Sequence, residues 1–127
     1  MITSLIILAF LNGTRATSTR PVVISPALAQ VAQVRADYLC DRRQWSHDGW
    51  LDSFKGKTTK YAGENLAMRF PNPVKASEAW MASPLHRANM LKDKYRVIGV
   101  GESEKCKLIV LLFADKYENA TTTNKVP

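Results

Sequence analysis

The feature that most constrains the fold is an uninterrupted apolar run, Leu108–Ala114, near the end of the chain. A strand with one wet face alternates apolar and polar residues, so this run is typical of a strand covered on both faces. The preceding segment "YRVIGVGES" also has strand character, and Glu104 and Lys105 follow it. We therefore predict an antiparallel hairpin whose second strand is central in its sheet.

Three Ser-Pro or Asn-Pro steps predict where helices begin. Each places a good capping residue directly before a proline at the first helical position: Ser25–Pro26, Asn72–Pro73 and Ser83–Pro84. After the first step, one helical face carries Leu28, Val31, Ala32, Arg35, Tyr38 and Leu39. A short helix is expected at 50–54, and "YAGENLAMRF" is ambiguous between loop, turn and strand. Helices that precede a late sheet predict an α+β fold, with helices packed over a small antiparallel sheet.

The N-terminal "MITSLIILAFLNGTRA" allows two interpretations. Its apolar centre resembles that of a signal peptide, but the run is short and no positive charge precedes it. The favoured alternative is an amphipathic first helix, capped by Thr3 or Ser4. Its apolar side would hold Ile2, Leu5, Ile6, Phe10 and Leu11. On that interpretation the chain shows no export signal, and no run reaches the roughly 20 apolar residues of a transmembrane segment.

Composition fits one globular domain, which we place at 1–115, followed by a polar, frayed tail at 116–127. The 127 residues are 46% hydrophobic and 23% charged, with a formal net charge of +7. Such a charge favours acidic partners, such as wall polymers or anionic lipid. The basic residues are scattered and do not form an arginine stripe interleaved with aromatics, which argues against a dedicated nucleic-acid reader. We expect a monomer.

The two cysteines, Cys40 and Cys106, are too far apart for a CxxC redox or zinc motif. They either pair in an oxidising compartment or remain as two buried thiols, and the sequence alone leaves both alternatives open.

Four residues are candidates for chemistry: His47, Glu64, Glu78 and His86. His86 is the third residue of its predicted helix, where the positive end of the helix dipole disfavours imidazolium. A neutral imidazole is the form that a metal ligand or a general base requires. Two histidines and one or two carboxylates suit an open zinc site or a base with its orienting acid. Taken singly, each residue also has an ordinary structural explanation.

The order of several motifs resembles that of the bacterial CAP-domain proteins. These motifs are "LNGTRA", "WSHDGW", "YAGENLA", "AWMASPLHRANML" and "IGVG" followed by an apolar strand. This SCP-like superfamily also holds cysteine-rich secretory, venom-allergen and plant pathogenesis-related proteins. The resemblance spans about residues 2–114 and implies a three-layer α-β-α sandwich around a central antiparallel sheet. It also implies that "LNGTRA" ends the first helix and that these residues belong to the fold.

The resemblance further implies a cleft with a tetrad of two histidines and two acids, which binds zinc or another divalent cation in some members. His47, Glu64 and His86 match three of these positions and form the implied cleft triad. The implied metal ligands are His47 and His86, with Glu64 and Glu78 as further candidates. Ser83 holds the place of the second acid, and the spacing of Glu78 from Trp80 disfavours its entry into the cleft. Structural support is expected from Ser83, Arg87, Asn89, Asn65 and Trp80.

The resemblance implies a secreted or cell-envelope protein, although fold does not determine function. We expect a non-enzymatic, extracytoplasmic binding module whose cleft holds a divalent metal and an acidic or wall-derived ligand. One alternative is a protease-like or wall-active hydrolase that activates water with the His/Glu cleft, and another is lipid or sterol binding. The sequence contains no HExxH, Gly-x-Ser-x-Gly or Cys-His nucleophile signature, which favours binding over catalysis.

Overall fold

The computed structural model of the protein describes residues 2–121. In chain order its helices and strands are α1 (Ile2–Arg15), β1 (Val23–Ile24), α2 (Pro26–Arg42), a 3-10 helix (Trp50–Phe54), β2 (Ala62–Met68), α3 (Pro73–Ala82), α4 (Pro84–Leu91), β3 (Val97–Ser103) and β4 (Leu108–Ala114). The predicted helix starts are confirmed. The Ser25 side chain accepts a hydrogen bond from the Leu28 N–H, and the Asn72 side chain accepts one from Lys75.

The sheet has the strand order β1-β3-β4-β2. Strand β4 pairs antiparallel with both β3 and β2, and all of its residues are buried, which confirms the predicted hairpin and central strand. The ambiguous "YAGENLAMRF" segment supplies edge strand β2. The two-residue β1 pairs parallel with β3, so the sheet is mixed although its three long strands are antiparallel.

Alternate residues of β4 enter two separate cores. Leu108, Val110 and Leu112 pack with the buried face of α2. Ile109, Leu111 and Phe113 face the other core, which contains Ile7 and Leu11 from α1, Ala76 and Trp80 from α3, and Met90 from α4. This arrangement confirms the three-layer α-β-α sandwich.

Helix α2 lies directly on the backbone of β3, at the "IGVG" motif. A Cβ on Gly99 would lie 2.4 Å from the carbonyl carbon of Leu28, and one on Gly101 would lie 2.1 Å from the carbonyl oxygen of Ala32. Both contacts are with backbone atoms, which cannot move aside as a flexible side chain can. Glycine at these two positions therefore sets how closely the helix approaches the sheet.

The helix at the N-terminus is confirmed, but its predicted apolar side is only partly right: Leu11 is in the core and Phe10 packs against it, whereas Ile2 and Leu5 face outwards. Ile2 and Leu5 are 71% and 60% exposed, whereas Ile7 and Leu11 are fully buried. Thr3 is not a cap, because it lies within α1 and its hydroxyl donates to Glu102 Oε1 at 2.8 Å. The buried side is bounded by the polar residues Thr3 and Arg15, which have partners, so the apolar pattern alone misplaced part of the buried face.

Arg15, at the end of α1, is fully buried. Its guanidinium donates to four backbone carbonyls: those of Arg20, Met90, Lys92 and Tyr95. Burial lowers the pKa of Arg15 from its ordinary value. This one side chain joins the end of α1 to the end of α4 and to the segment that leads into β3.

Cys40 and Cys106 form a disulfide that joins the last turn of α2 to the β3–β4 connection. The start of the predicted tail packs against the domain, since Tyr117 is buried and its hydroxyl donates to the Ser53 carbonyl at 2.6 Å. Positions 122–127 of that tail lie outside the described residues. Among residues 2–121, no helix combines the length and the apolar character needed to cross a lipid bilayer.

We predict that Gly101→Ala lowers the free energy of unfolding by about 2–3 kcal/mol, because the added methyl group has no space against α2. Gly13→Ala is the matched control: a Cβ there meets no atom within 4 Å. Because Gly13 lies inside α1, that change should stabilise the protein by about 0.5–1 kcal/mol. Urea denaturation measures both, and equal stabilities for the two variants would contradict the close approach of α2 to β3.

Candidate functional site

A cleft of about 760 Å³ opens between the loop before the 3-10 helix, the start of β2 and the start of α4. His47, Glu64 and His86 all line it, so the structure brings the three residues of the predicted triad together. Trp50 and Leu85 form apolar parts of its wall. Three segments that are distant in sequence therefore meet at one surface.

Glu64 is buried on β2 and is held by an arginine from the facing helix. Arg35 Nε donates to Glu64 Oε2, and Arg35 Nη2 donates to Oε1 at 3.1 Å. The two side chains are 6% and 1% exposed. This bidentate pair compensates a carboxylate that burial alone would disfavour.

The same guanidinium holds the loop that carries His47. Arg35 Nη1 and Nη2 donate to the carbonyls of Asp48 and Ser46, each at 3.3 Å. His47 Nδ1 lies 2.7 Å from Glu64 Oε1. Since the carboxylate accepts, Nδ1 carries the proton, and Nε2 of a neutral ring is left as an acceptor.

His86 is held by the residue that occupies the place of the second acid. Ser83 is the residue before α4, but its side chain makes no cap bond to the helix backbone. Its hydroxyl lies 3.0 Å from His86 Nδ1 instead. Burial, with a smaller contribution from the charge of His47, lowers the pKa of His86 from 6.5. The ring is therefore neutral at pH 7. The Ser83 hydroxyl can donate to Nδ1, which leaves the proton on Nε2, or accept from it, which leaves Nε2 as an acceptor.

Two asparagines tie the start of β2 to α4. Asn89 Nδ2 donates to Asn65 Oδ1 at 2.9 Å and to the Glu64 carbonyl at 3.3 Å. Asn65 Nδ2 donates to the His86 carbonyl at 3.2 Å. Trp80 is buried in the core, and its Nε1 donates to the Leu66 carbonyl at 3.0 Å. These bonds connect edge strand β2 with the two helices beside it and hold Glu64 opposite His86.

Two predicted residues lie away from the cleft. Glu78 is 53% exposed and pairs with Lys75 at 3.3 Å. Arg87, which was expected to give structural support, is exposed and lines a separate surface hollow with Met81 and Leu91.

Comparison with known proteins agrees with this fold. The model of the cysteine-rich secretory protein family matches residues 8–113, which is most of the chain. The chain belongs to the cysteine-rich secretory protein (CAP) family. The resemblance seen in the motifs is thereby confirmed.

The CAP relatives are mostly longer than this chain. An uncharacterized protein of Bacillus subtilis, YkwD, is 30% identical over 105 residues, which cover 76% of this chain and 40% of that protein. An extracellular SCP-domain protein of Bacillus anthracis superposes with a TM-score of 0.78 at 24% identity, covering 88% of this chain and 40% of its own. An outer surface protein of Borrelia burgdorferi superposes with a TM-score of 0.77 at 19% identity, and the match covers 91% of this chain and 93% of that protein. The two Bacillus matches involve two-fifths of each relative's length, and the structural likenesses show the shared CAP fold.

The donor set of this CAP cleft does not fit the three-ligand zinc site that the resemblance implied. Both oxygens of Glu64 already accept from Arg35, Ser83 offers a hydroxyl in place of an acid, and Glu78 lies outside. In the described part of the chain, no three His, Cys, Asp or Glu side chains are grouped to hold a metal ion. A divalent cation bound by His47 and His86 stays a prediction.

Sequence reasoning missed Arg35, the residue that positions Glu64 and the His47 loop. The signal was present, because Arg35 falls on the same helical face as Leu28, Ala32 and Leu39. A charged residue on a buried face requires a charged or polar partner in the fold. The sequence therefore identified Arg35 on a buried helical face but could not identify its partner, Glu64.

We predict that Arg35→Met costs about 3–5 kcal/mol of unfolding free energy, because it leaves the buried Glu64 carboxylate without its partner. Arg42→Gln, an exposed change on the same helix, should stay within about 0.5 kcal/mol. The double variant Arg35→Met/Glu64→Leu should recover much of the loss, since it removes both charges. Urea denaturation of the three variants checks this. A cost for Arg35→Met no larger than that for Arg42→Gln would contradict the role assigned to the pair.

Proposed function

We propose that the protein is an extracytoplasmic, monomeric binding module whose cleft holds a polar ligand derived from cell-wall polymer. The observation that carries this proposal is the engagement of Glu64. Its two oxygens accept hydrogen bonds from Arg35 and His47, so the carboxylate is not free to take a proton from a substrate. What remains available to a ligand is one ring nitrogen from each histidine.

Those two nitrogens have complementary roles. In this proposal the Ser83 hydroxyl donates to His86 Nδ1, so that His86 Nε2–H is a donor, and the neutral His47 ring presents Nε2 as an acceptor. A group that both donates and accepts hydrogen bonds matches this pair, such as a sugar hydroxyl, an acetamido group or a peptide amide. Trp50 and Leu85 add apolar contact area beside them. Wall glycans and their peptides carry all of these groups, and the net charge of +7 favours acidic polymers of the same kind.

Two observations support a location outside the cytoplasm. Disulfides form and persist in oxidising compartments, and the Cys40–Cys106 bridge is of this kind. The similar proteins of Bacillus anthracis and Borrelia burgdorferi are described as extracellular and outer surface proteins. A cell-wall ligand would be accessible at such a location.

The binding proposal predicts a saturable interaction with a soluble disaccharide-peptide muropeptide. His47→Gln and His86→Gln should each weaken it at least tenfold, because each removes a ring nitrogen that contacts the ligand. Glu78→Gln is the matched control and should change affinity less than twofold, since Glu78 lies outside the cleft. Calorimetric titration measures all four proteins. Absence of binding up to millimolar muropeptide, or equal affinities in all variants, would refute the proposal.

A hydrolase is the second candidate, and the 2.7 Å contact between His47 Nδ1 and Glu64 favours it. A carboxylate that orients an imidazole is the usual arrangement of a general base. In this alternative, His47 Nε2 accepts a proton from a water molecule as that water attacks the carbonyl carbon of an amide or ester bond in the bound wall fragment. The C–N or C–O bond then breaks, and the imidazolium returns the proton to the leaving group. His86 Nε2–H then faces the group on which negative charge develops.

The hydrolase candidate predicts turnover of muropeptide, peptide or ester substrates that His47→Ala reduces at least a hundredfold. The His47 side chain is half exposed, so its removal should leave the fold intact, which circular dichroism verifies. Product release is followed by chromatography. Equal turnover in wild type and His47→Ala would identify a contaminating enzyme and eliminate this candidate.

A further inference from the structure

A second cavity, of about 660 Å³, lies at the opposite end of β2 from the cleft. Its wall includes the disulfide, Cys40–Cys106, and four basic residues: Arg43, Arg69, Lys105 and Lys107. We call it the disulfide-end pocket. Its basic residues come from three places, namely the segment after α2, the end of β2 and the β3–β4 connection. Their backbones are tied together by the disulfide and by the Arg69 N–H, which donates to the Lys107 carbonyl at 2.8 Å.

Backbone conformation marks this pocket out from the rest of the described chain. Among residues 2–121, the non-glycine residues with positive φ are Arg43, Arg69 and Lys107, at 49°, 64° and 53°. All three line the disulfide-end pocket. The left-handed backbone conformation costs a non-glycine residue of order 1–2 kcal/mol, a cost that glycine avoids. Strained residues that converge on one cavity are typical of ligand-binding sites.

The pocket wall is positively charged. None of its four basic side chains takes part in an ion pair within the described chain. Asp41 is the one acidic residue in the wall, so four cations face one carboxylate. An anion that enters the pocket is therefore attracted by a net positive lining.

We propose that the disulfide-end pocket is an anion site that binds the phosphate groups of an anionic ligand. Two arginines supply planar forks that match phosphate oxygens in bidentate fashion, and two lysines supply mobile ammonium groups. The cavity volume is that of a site for a small ligand or a segment of a polymer. This site shares no lining residue with the His47–His86 cleft and does not depend on the function proposed for that cleft.

Trp45 gives a direct readout, because it lines the disulfide-end pocket and is 44% exposed. The probe is inorganic tripolyphosphate, titrated into the intact chain at 150 mM salt, where long-range effects of net charge are screened. We expect a saturable change in tryptophan fluorescence that Trp45→Phe abolishes, and a one-to-one complex by calorimetry.

The decisive variant is Arg43→Gln/Arg69→Gln, which should weaken tripolyphosphate binding at least tenfold. Lys60→Gln/Arg87→Gln removes the same number of positive charges from elsewhere on the surface and should change the affinity for tripolyphosphate less than twofold. His47→Ala should likewise leave it unchanged, which separates this site from the cleft. Arg69→Gly keeps the test valid if the double variant folds poorly, because glycine relaxes the backbone while it removes the cation. The inference is overturned if no saturable binding occurs, or if the control pair loses as much affinity as Arg43→Gln/Arg69→Gln.

The source of the phosphate is decided by a vesicle experiment. The chain is sedimented with phosphatidylglycerol vesicles and with phosphatidylcholine vesicles. Retention on phosphatidylglycerol alone, reversed by tripolyphosphate and absent in Arg43→Gln/Arg69→Gln, assigns the site to a lipid headgroup. Binding of tripolyphosphate without vesicle retention assigns it to a soluble or polymeric phosphate. Failure of both probes removes the site.

Discussion

The contact between α2 and β3 governs the geometry of this molecule. Two glycines leave the strand without side chains under the helix, so that helix backbone rests on strand backbone. Arg35 lies one turn beyond Ala32, and this close approach lets its guanidinium reach across to Glu64 on β2. From Glu64 the bonds continue to His47 and to the loop that carries it. The position of the half-exposed His47 imidazole therefore depends on Gly99 and Gly101, which have no side chains inside the fold.

The cleft is less acidic than the presence of Glu64 suggests. Glu64 contributes a charge that Arg35 compensates, and Ser83 contributes a neutral hydroxyl where an acid was expected. Each of the two histidines has its Nδ1 engaged by a different kind of partner, a carboxylate in one case and an alcohol in the other. The two rings are therefore held by partners of different chemistry, although their side chains are chemically identical. An asymmetric pair of this kind suits a ligand that is itself asymmetric.

Local rules predicted the parts of the fold in which a residue's environment is set by its near neighbours. The proline-marked helix starts and the doubly covered strand Leu108–Ala114 are examples. Local rules predicted α1 but misplaced part of its buried side, because that side is bounded by Thr3 and Arg15, whose partners come from distant segments. They could not find Arg35 as a site residue for the same reason, since its partner is 29 positions away. The convergence of His47, Glu64 and His86 followed from the family resemblance and not from spacing.

The disulfide has a topological consequence for the cleft. His47, Glu64 and His86 all lie between Cys40 and Cys106, so the entire cleft belongs to a covalent ring with a sequence separation of 66. In the chain-entropy description, closing a ring of this size stabilises the fold by about 4 kcal/mol. A protease that cuts once within the ring leaves the two fragments joined, and nicked protein would separate only after reduction. In a protease-rich environment, a single cleavage would therefore not release any of the three cleft residues from the molecule.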